Sequence, residues 1–489
     1  MTAAEYSVGS LVLLPLLASA VSVLLPVRGR RLLALLVVFA LAGFTALVAV
    51  QTAAGEVVEL ALGGYSEPLG IHLRADGLSV LFVGLTTLVG GIVTVFAVGS
   101  KTTHEAFWPL WLGCWAGLNA VFISGDLFNS YVGLELVGLT AVALVALGSR
   151  PAWSGALRYL FIAVLGSLLF LVGVGIVVSA AGTLDIEQAG AALQQNPELA
   201  PALTFALVLM TVGLGMKVAL LPMHAWLIPA HSAAPSAVSP LLSALVIKAA
   251  LFVLLRCWMW LAAGMPELAP LAWTLGVLGA LAVIVGSIAA LRQDALKRLI
   301  AYSTVAQIGY WFLAFPLLGA EMDDGVRQGA FGGILALALG HGVAKAGLFL
   351  AAGSLKDTYG SDDITALHGA GREQPLVVMG MGLTAVGLIG LPISLGFTGK
   401  WQVATSTVGA QQWWILVVLM LGTLLSSAYL VRAIAPLLLM ESPQPDPASV
   451  SRNFWSLSGV TVLSLGVLTL ATGFGGVVID AALEVGSPW

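Results

Sequence analysis

The stretch KVALLPMHAWLIPAHSAAPSAVS, residues 217–239, decides how this chain is to be read. It sets a lysine, two histidines and three prolines into a run otherwise dominated by apolar residues. Pro222 has no N–H to offer the carbonyl of Val218, and its ring crowds that carbonyl. A helix arriving from the N-terminal side should therefore break beside Lys217. Pro229, Pro235 and Pro240 keep the path irregular until a new helix carries Lys248. At membrane depth a loosened backbone is tolerated only where protein buries it or where it lines a hydrated cavity. A break with a cation at its edge thus points to a polar path inside an apolar protein.

The remainder of the chain supports a membrane setting. Of 489 residues, 59% are hydrophobic and 9% charged, and the mean hydropathy is +1.02. Soluble domains carry about a quarter charged residues. Long uncharged runs near 20 residues recur from end to end, as spanning helices require. The first has neither a preceding basic region nor a small-residue cleavage site, so it reads as a retained helix rather than a signal peptide. Charged and Gly/Pro-rich punctuation divides the chain into fourteen spans, near 8–26, 32–52, 77–99, 107–124, 126–148, 157–181, 202–222, 236–262, 267–291, 297–318, 328–353, 375–395, 411–437 and 455–480. The expected fold is all-α and polytopic, with about fourteen transmembrane helices and short loops. The two cysteines, Cys114 and Cys257, lie in or beside apolar runs and read as buried free thiols.

Cations sort unequally between the two sides. Loops after odd-numbered spans hold thirteen: Arg28, Arg30, Arg31, Lys101, Arg150, Arg158, Arg292, Lys297, Arg298, Lys356, Arg372, Arg432 and Arg452. The other side holds Arg74, Arg256 and Arg327. The excess of Lys and Arg marks the cytoplasmic side, so both termini are expected outside the cytoplasm.

Four lysines remain, Lys217, Lys248, Lys345 and Lys400, all within or beside apolar spans. Glu135 is the acid read as similarly deep, nine residues and so about 14 Å into its span from Asp126. An ionisable group at the bilayer centre costs about 2.5–3.5 kcal/mol on insertion scales. Such residues could serve only as glue between helices, but one acid cannot neutralise four cations. Burial and like-charge neighbours also bring a lysine into a range where it exchanges protons. His341 and Lys345, four apart in HGVAKAGLFL (341–350), share a helix face, and histidine titrates near neutrality. A packing histidine is the plainer alternative; the adjacent intramembrane lysine favours a relay. His224 and His231 could suggest a metal site, yet no Cys, Asp or Glu is close enough in sequence to complete one. No metal, cofactor or nucleic-acid motif is found, and neither a Walker loop nor a dinucleotide fingerprint is present.

A second interruption lies at GLPISLGFTGK, residues 390–400, ahead of Lys400. Paired broken segments in corresponding places point to inverted repeats. The expected organisation is residues 1–104 (spans one to three), 105–262 (first repeat, spans four to eight), 263–437 (second repeat, spans nine to thirteen) and 438–489 (span fourteen).

Six stretches together resemble the antiporter-like subunits shared by Mrp-type cation/proton antiporters, respiratory complex I and membrane-bound hydrogenases. They are ADGLSVLF (75–82), DLFNSYVGLELVGL (126–139), the opening stretch, LKRLIAYSTVAQIGY (296–310), HGVAKAGLFL and GLPISLGFTGK. The resemblance implies broken seventh and twelfth helices and a midplane row of charges. It assigns Glu135 and Lys217 as a pair, Lys248 as a relay, His341 and Lys345 as the eleventh-helix pair, and Lys400 as the terminal residue. It also implies partner subunits in a hetero-oligomeric membrane complex, with H⁺ and Na⁺ as the transported ions. Lysine at 400 and the chain's length look most like the D subunit of Mrp antiporters; a complex I or hydrogenase subunit is the alternative. Asp126 is a secondary candidate for proton uptake.

Overall fold

The computed structural model describes residues 3–64, 70–100, 102–262, 265–439 and 456–488. Its helices are α1 (Ala3–Leu24), α2 (Val27–Ala53), α3 (Gly77–Gly99), α4 (Phe107–Phe122), α5 (Leu127–Ala146), α6 (Arg150–Ala181), α7 (Ile186–Gln195), α8 (Ala200–Val218), α9 (Leu227–Ala233) and α10 (Val238–Leu241). They continue with α11 (Ile247–Leu261), α12 (Ala269–Leu291), α13 (Leu296–Leu313), α14 (Asp324–Tyr359), α15 (Pro375–Ile389), α16 (Leu395–Gly409), α17 (Trp413–Ile434), α18 (Leu457–Ala471) and α19 (Gly476–Leu483). Among the described residues, eleven helices are long and apolar enough to cross a membrane, and α15 is a shorter apolar helix. The protein is a polytopic helical membrane protein. Helices α4 and α13 stand where the fourth and tenth spans were expected and α15 where the twelfth was, while α16 occupies the stretch left between the twelfth and thirteenth spans.

Burial divides the helices into a centre and a perimeter. Every residue of α14 from Ala330 to Leu355 is buried, and so is α11 from Ile247 to Met259. A helix apolar on all sides belongs in a core, and these two carry Lys248, His341 and Lys345. Helices α2, α6 and α17 instead expose large apolar side chains, among them Phe39, Phe161 and Leu424, as a lipid-facing surface requires.

One element departs from the helical expectation. Strands β1 (Val58–Leu62) and β2 (Ile71–Ala75) pair antiparallel, with Val58 opposite Ala75 and Leu62 opposite Ile71. The hairpin docks on the α4–α5 connection through Arg74 N–H to Ile123 O at 2.7 Å and Gly125 N–H to His72 O at 3.0 Å.

Both breaks are present, with shifted edges. The opening stretch leaves α8 at Val218 rather than at Pro222, because Ala219 adopts a left-handed conformation (φ 65°) and donates its N–H back to Gly215 and Met216. A 3₁₀ turn over Met223–Trp226 and the short α9 follow. In the second break α15 ends at Ile389, Gly390 is left-handed (φ 83°), and Ser394 caps α16 by accepting the Phe397 N–H. Glycine is required at 390, where a Cβ would stand 3.0 Å from Lys400 Cδ and 3.1 Å from Gly396 O.

Of the thirteen cations used to orient the chain, Lys101 and Arg452 lie outside the described residues. Lys297 is not a loop cation. It is the second residue of α13, 1% exposed, and donates to the Ala234 carbonyl at 2.9 Å.

Candidate functional site

The first group joins three helices. Glu135 comes from the middle of α5, Lys217 from the last turn of α8, and Ser167 from α6. Lys217 Nζ stands 3.5 Å from Glu135 Oε1, and Ser167 Oγ donates to the same carboxylate oxygen. Lys217 is 8% exposed and the Glu135 side chain 27%. Helix α6 comes close enough because Gly166 faces Gly213, where a Cβ on Gly166 would sit 2.6 Å from the Gly213 carbonyl oxygen. Breaking a buried pair by removing one partner leaves an uncompensated charge, so the pair holds its helices in register as well as holding charge.

Behind it, the chain between α10 and α11 is a π turn, Leu242–Val246. Such turns recur at functional sites because the widened ladder leaves carbonyls for other donors. Here Lys248 Nζ donates to Ser243 O at 2.6 Å and contacts His341 Nδ1 at 2.5 Å. One proton serves that contact. With Lys248 charged, His341 Nδ1 accepts; with Lys248 neutral, His341 Nδ1–H donates. Trp311 closes the group, its ring 5.1 Å from Lys248 Nζ and edge-on to the His341 ring at 5.1 Å.

Lys345, one turn along α14 from His341, donates to Ile300 O at 2.7 Å and to Ser303 Oγ, both on α13. Lys400 Nζ reaches across the second break to the last carbonyl of α15, Ile389 O, at 2.7 Å and to Thr423 Oγ1 of α17 at 2.9 Å. A cation is favoured at a helix C-terminus, where the carbonyls lack partners. Tyr310 lies beneath it, with the ring centroid 4.7 Å from Nζ. Among the described residues no carboxylate bonds Lys248, Lys345 or Lys400; hydroxyls, carbonyls, ring faces and one imidazole do so instead.

Of the secondary candidates, Asp126 and His224 fall apart from this row, whereas His231 stands beside it, on the Phe349 ring that Lys345 Nζ also faces at 5.9 Å. Asp126 caps α5, accepting the Asn129 backbone N–H at 2.7 Å and its side-chain amide. Burial raises its carboxyl above the usual range, against the pull of those N–H groups. His231 is fully buried and stacked on Phe349 at 4.6 Å, and neither ring nitrogen has a hydrogen-bond partner among the described residues. His224 lies half-buried in a separate cavity. No group of three metal-ligating side chains occurs among the described residues.

Two buried features escaped the sequence reading. Lys297 is one. The other is Asp76, which caps α3 and binds the Arg256 guanidinium through both oxygens, with one contact at 3.0 Å. Burial opposes the charge on Asp76, yet Arg256 and the Ser79 N–H hold its carboxyl below the usual range.

The fold and this row define a class: a polytopic membrane protein with broken helices flanking a buried line of amines, imidazole and one carboxylate. A family model described as NADH:quinone oxidoreductase/Mrp antiporter, transmembrane, matches residues 124–426. The NADH-quinone oxidoreductase subunit N of Desulforudis audaxviator (strain MP104C) is 32% identical over 452 residues, covering 89% of this chain and 88% of that protein. The chain belongs to this family and is an antiporter-like subunit of Mrp or complex I type. Among solved structures, a chain of the Mrp complex from Dietzia sp. DQ12-45-1b superposes with a TM-score of 0.86 at 24% identity, covering 99% of this chain and 98% of that one. A chain of the archaeal membrane-bound sulfane sulfur reductase gives 0.86 at 23% identity, covering 98% and 97%. A chain of respiratory complex I from Thermus thermophilus gives 0.76 at 26% identity, covering 98% and 100%. The solved relatives are parts of multisubunit membrane complexes.

Proposed function

We propose that the chain carries protons along the buried row, as the proton-translocating subunit of a multisubunit Mrp-type Na⁺/H⁺ antiporter. The observation that carries this reading is the Glu135–Lys217 pair at 3.5 Å, followed by amines that no carboxylate bonds among the described residues. While the pair is closed, the carboxylate favours the ammonium. When it opens, Lys217 loses that support and gives up its proton more readily. The acceptor is Lys248, which already shares a proton contact with His341 at 2.5 Å. Lys345 and Lys400 then lead to the second break. Because each charge alters its neighbours, the row titrates as a coupled set and not as independent sites. Two inverted repeats, residues 105–262 and 263–437, would place one break in each half, and the arginine-rich face would be cytoplasmic.

A second reading has its own support. The relative at 32% identity bears the name of a NADH-quinone oxidoreductase subunit, in which redox chemistry in other subunits would drive the same row. The deciding experiment uses inverted vesicles carrying the complete neighbouring operon and compares wild type with Lys217→Ala and Glu135→Ala. Na⁺/H⁺ exchange in wild type, lost in both variants with the complex still assembled, is the expected result. Unimpaired exchange in both would refute the relay. Proton uptake on adding NADH, with no Na⁺ exchange in wild type, selects the redox-driven reading.

A further inference from the structure

We propose that the cleft between α6, α9 and α13 is a binding site for the phosphate of an anionic phospholipid. The cleft has a volume of about 390 Å³, and its polar lining is Arg158, His224, Gln293, Arg298 and Tyr302 with Ser232 at one end. Neither guanidinium has a hydrogen bond or ion pair within the described residues, and His224 Nδ1 is buried without a hydrogen-bond partner. Among the described residues no carboxylate lines the cleft. The nearest acid in sequence, Asp294, is engaged by Arg432 at 2.8 Å. Two unpaired guanidiniums in a cleft that no carboxylate lines are a cationic site suited to a phosphate diester, to which the imidazole and the phenol can add hydrogen bonds.

A neighbouring cavity shows that this is not simply the basic character of the whole face. That cavity holds Lys297, Arg298 and Lys356, but Asp357, Asp362 and Asp363 line it too, and Lys356 pairs with Asp362 at 2.9 Å. Its lysines thus sit among acids, whereas Arg298, which lines both cavities, is paired with none of them, and in the α6–α9–α13 cleft it joins Arg158.

The surface beyond the cleft favours a lipid over a free phosphate. Phe161, Leu165, Leu168 and Val172 follow Arg158 along one side of α6, and they are 73%, 49%, 51% and 55% exposed. From Arg158 to Val172 the helix rises about 21 Å, which is the reach of an acyl chain from its headgroup. Ile228 of α9 supplies apolar lining on the other wall. Basic pockets between transmembrane helices are a recognised geometry for anionic headgroups.

The test uses the intact complex in vesicles containing phosphatidylglycerol or phosphatidylcholine with a photoactivatable acyl chain, and reads the labelled peptides of α6 by mass spectrometry. Labelling between Phe161 and Val172 should favour phosphatidylglycerol about tenfold. Arg158→Gln with Arg298→Gln should abolish the preference, and Arg158→Lys with Arg298→Lys should retain part of it. Equal labelling by both lipids in wild type, or an unchanged preference in the double glutamine variant, overturns the proposal. Loss of the preference on adding millimolar inorganic phosphate at constant ionic strength would assign the cleft to free phosphate, and would overturn the lipid source.

Discussion

The two helix breaks present their lysines in opposite ways. At the first, Lys217 points away from the break toward a carboxylate on another helix, 3.5 Å distant. At the second, Lys400 turns back into the break and satisfies the open end of α15 through Ile389 O. The backbone differs as well: the first break has one left-handed position, Ala219, and the second has two, Gly390 and Ile393 (φ 65°). One lysine is therefore held by a charge that can be withdrawn, the other by a helix terminus that stays in place. Under the proposed function the first would act as a gate and the second as a terminus of the row.

That contrast can be broken first at Lys217. Lys217→Ala or Glu135→Ala should each destabilise the assembled subunit by about 3 kcal/mol, because each leaves one uncompensated charge. Proton flux should fall at least tenfold, on the order expected for removing a positioned proton carrier. The double variant should recover much of the melting temperature and none of the flux. Recovery of flux in the double variant would return the pair to a structural role. At the second break, Lys400→Met should leave Ile389 O without its donor and lower stability by about 1–3 kcal/mol. Thermal unfolding should show no rescue by removing any single carboxylate, since none bonds this lysine. A carboxylate variant that rescues it would erase the distinction between the breaks.

The backbone gives two smaller tests. Gly390→Ala adds a Cβ in a left-handed conformation and should cost about 1–2 kcal/mol, read as a lower melting midpoint. Ala219→Gly relieves the corresponding strain and should be neutral or stabilising by less than about 1 kcal/mol. Equal responses at the two positions would mean that the surrounding packing, and not the residue type, sets both breaks.

The row was largely legible because intramembrane charge is costly and therefore conspicuous. Glu135, Lys217, Lys248, His341, Lys345 and Lys400 each stand out against apolar neighbours, and the structure buries all of them wholly or partly. Their uncharged partners were not legible. Ser167, Ser303 and Thr423 look like the many other hydroxyls that bond within their own helices, and only tertiary packing aims them at a charge. Lys297 was hidden by position: two residues inside a helix, it reads as a flanking cation, and it is the return of α9 that covers it. Asp76 and Arg256 read as helix-end residues because they are 180 positions apart, and nothing local announces that they meet. The hairpin was missed because two five-residue strands leave little periodicity between long apolar helices.

The π turn before Lys248 has a mechanical consequence. A helix with such a turn carries one residue more than an α-helical ladder requires, and that surplus can be handed along the helix without breaking the chain. Each residue passed rotates the segment it crosses by about 100°. Lys248 is two residues beyond the turn, so the surplus residue sets which face of α11 carries its amine, and that face is the one toward His341.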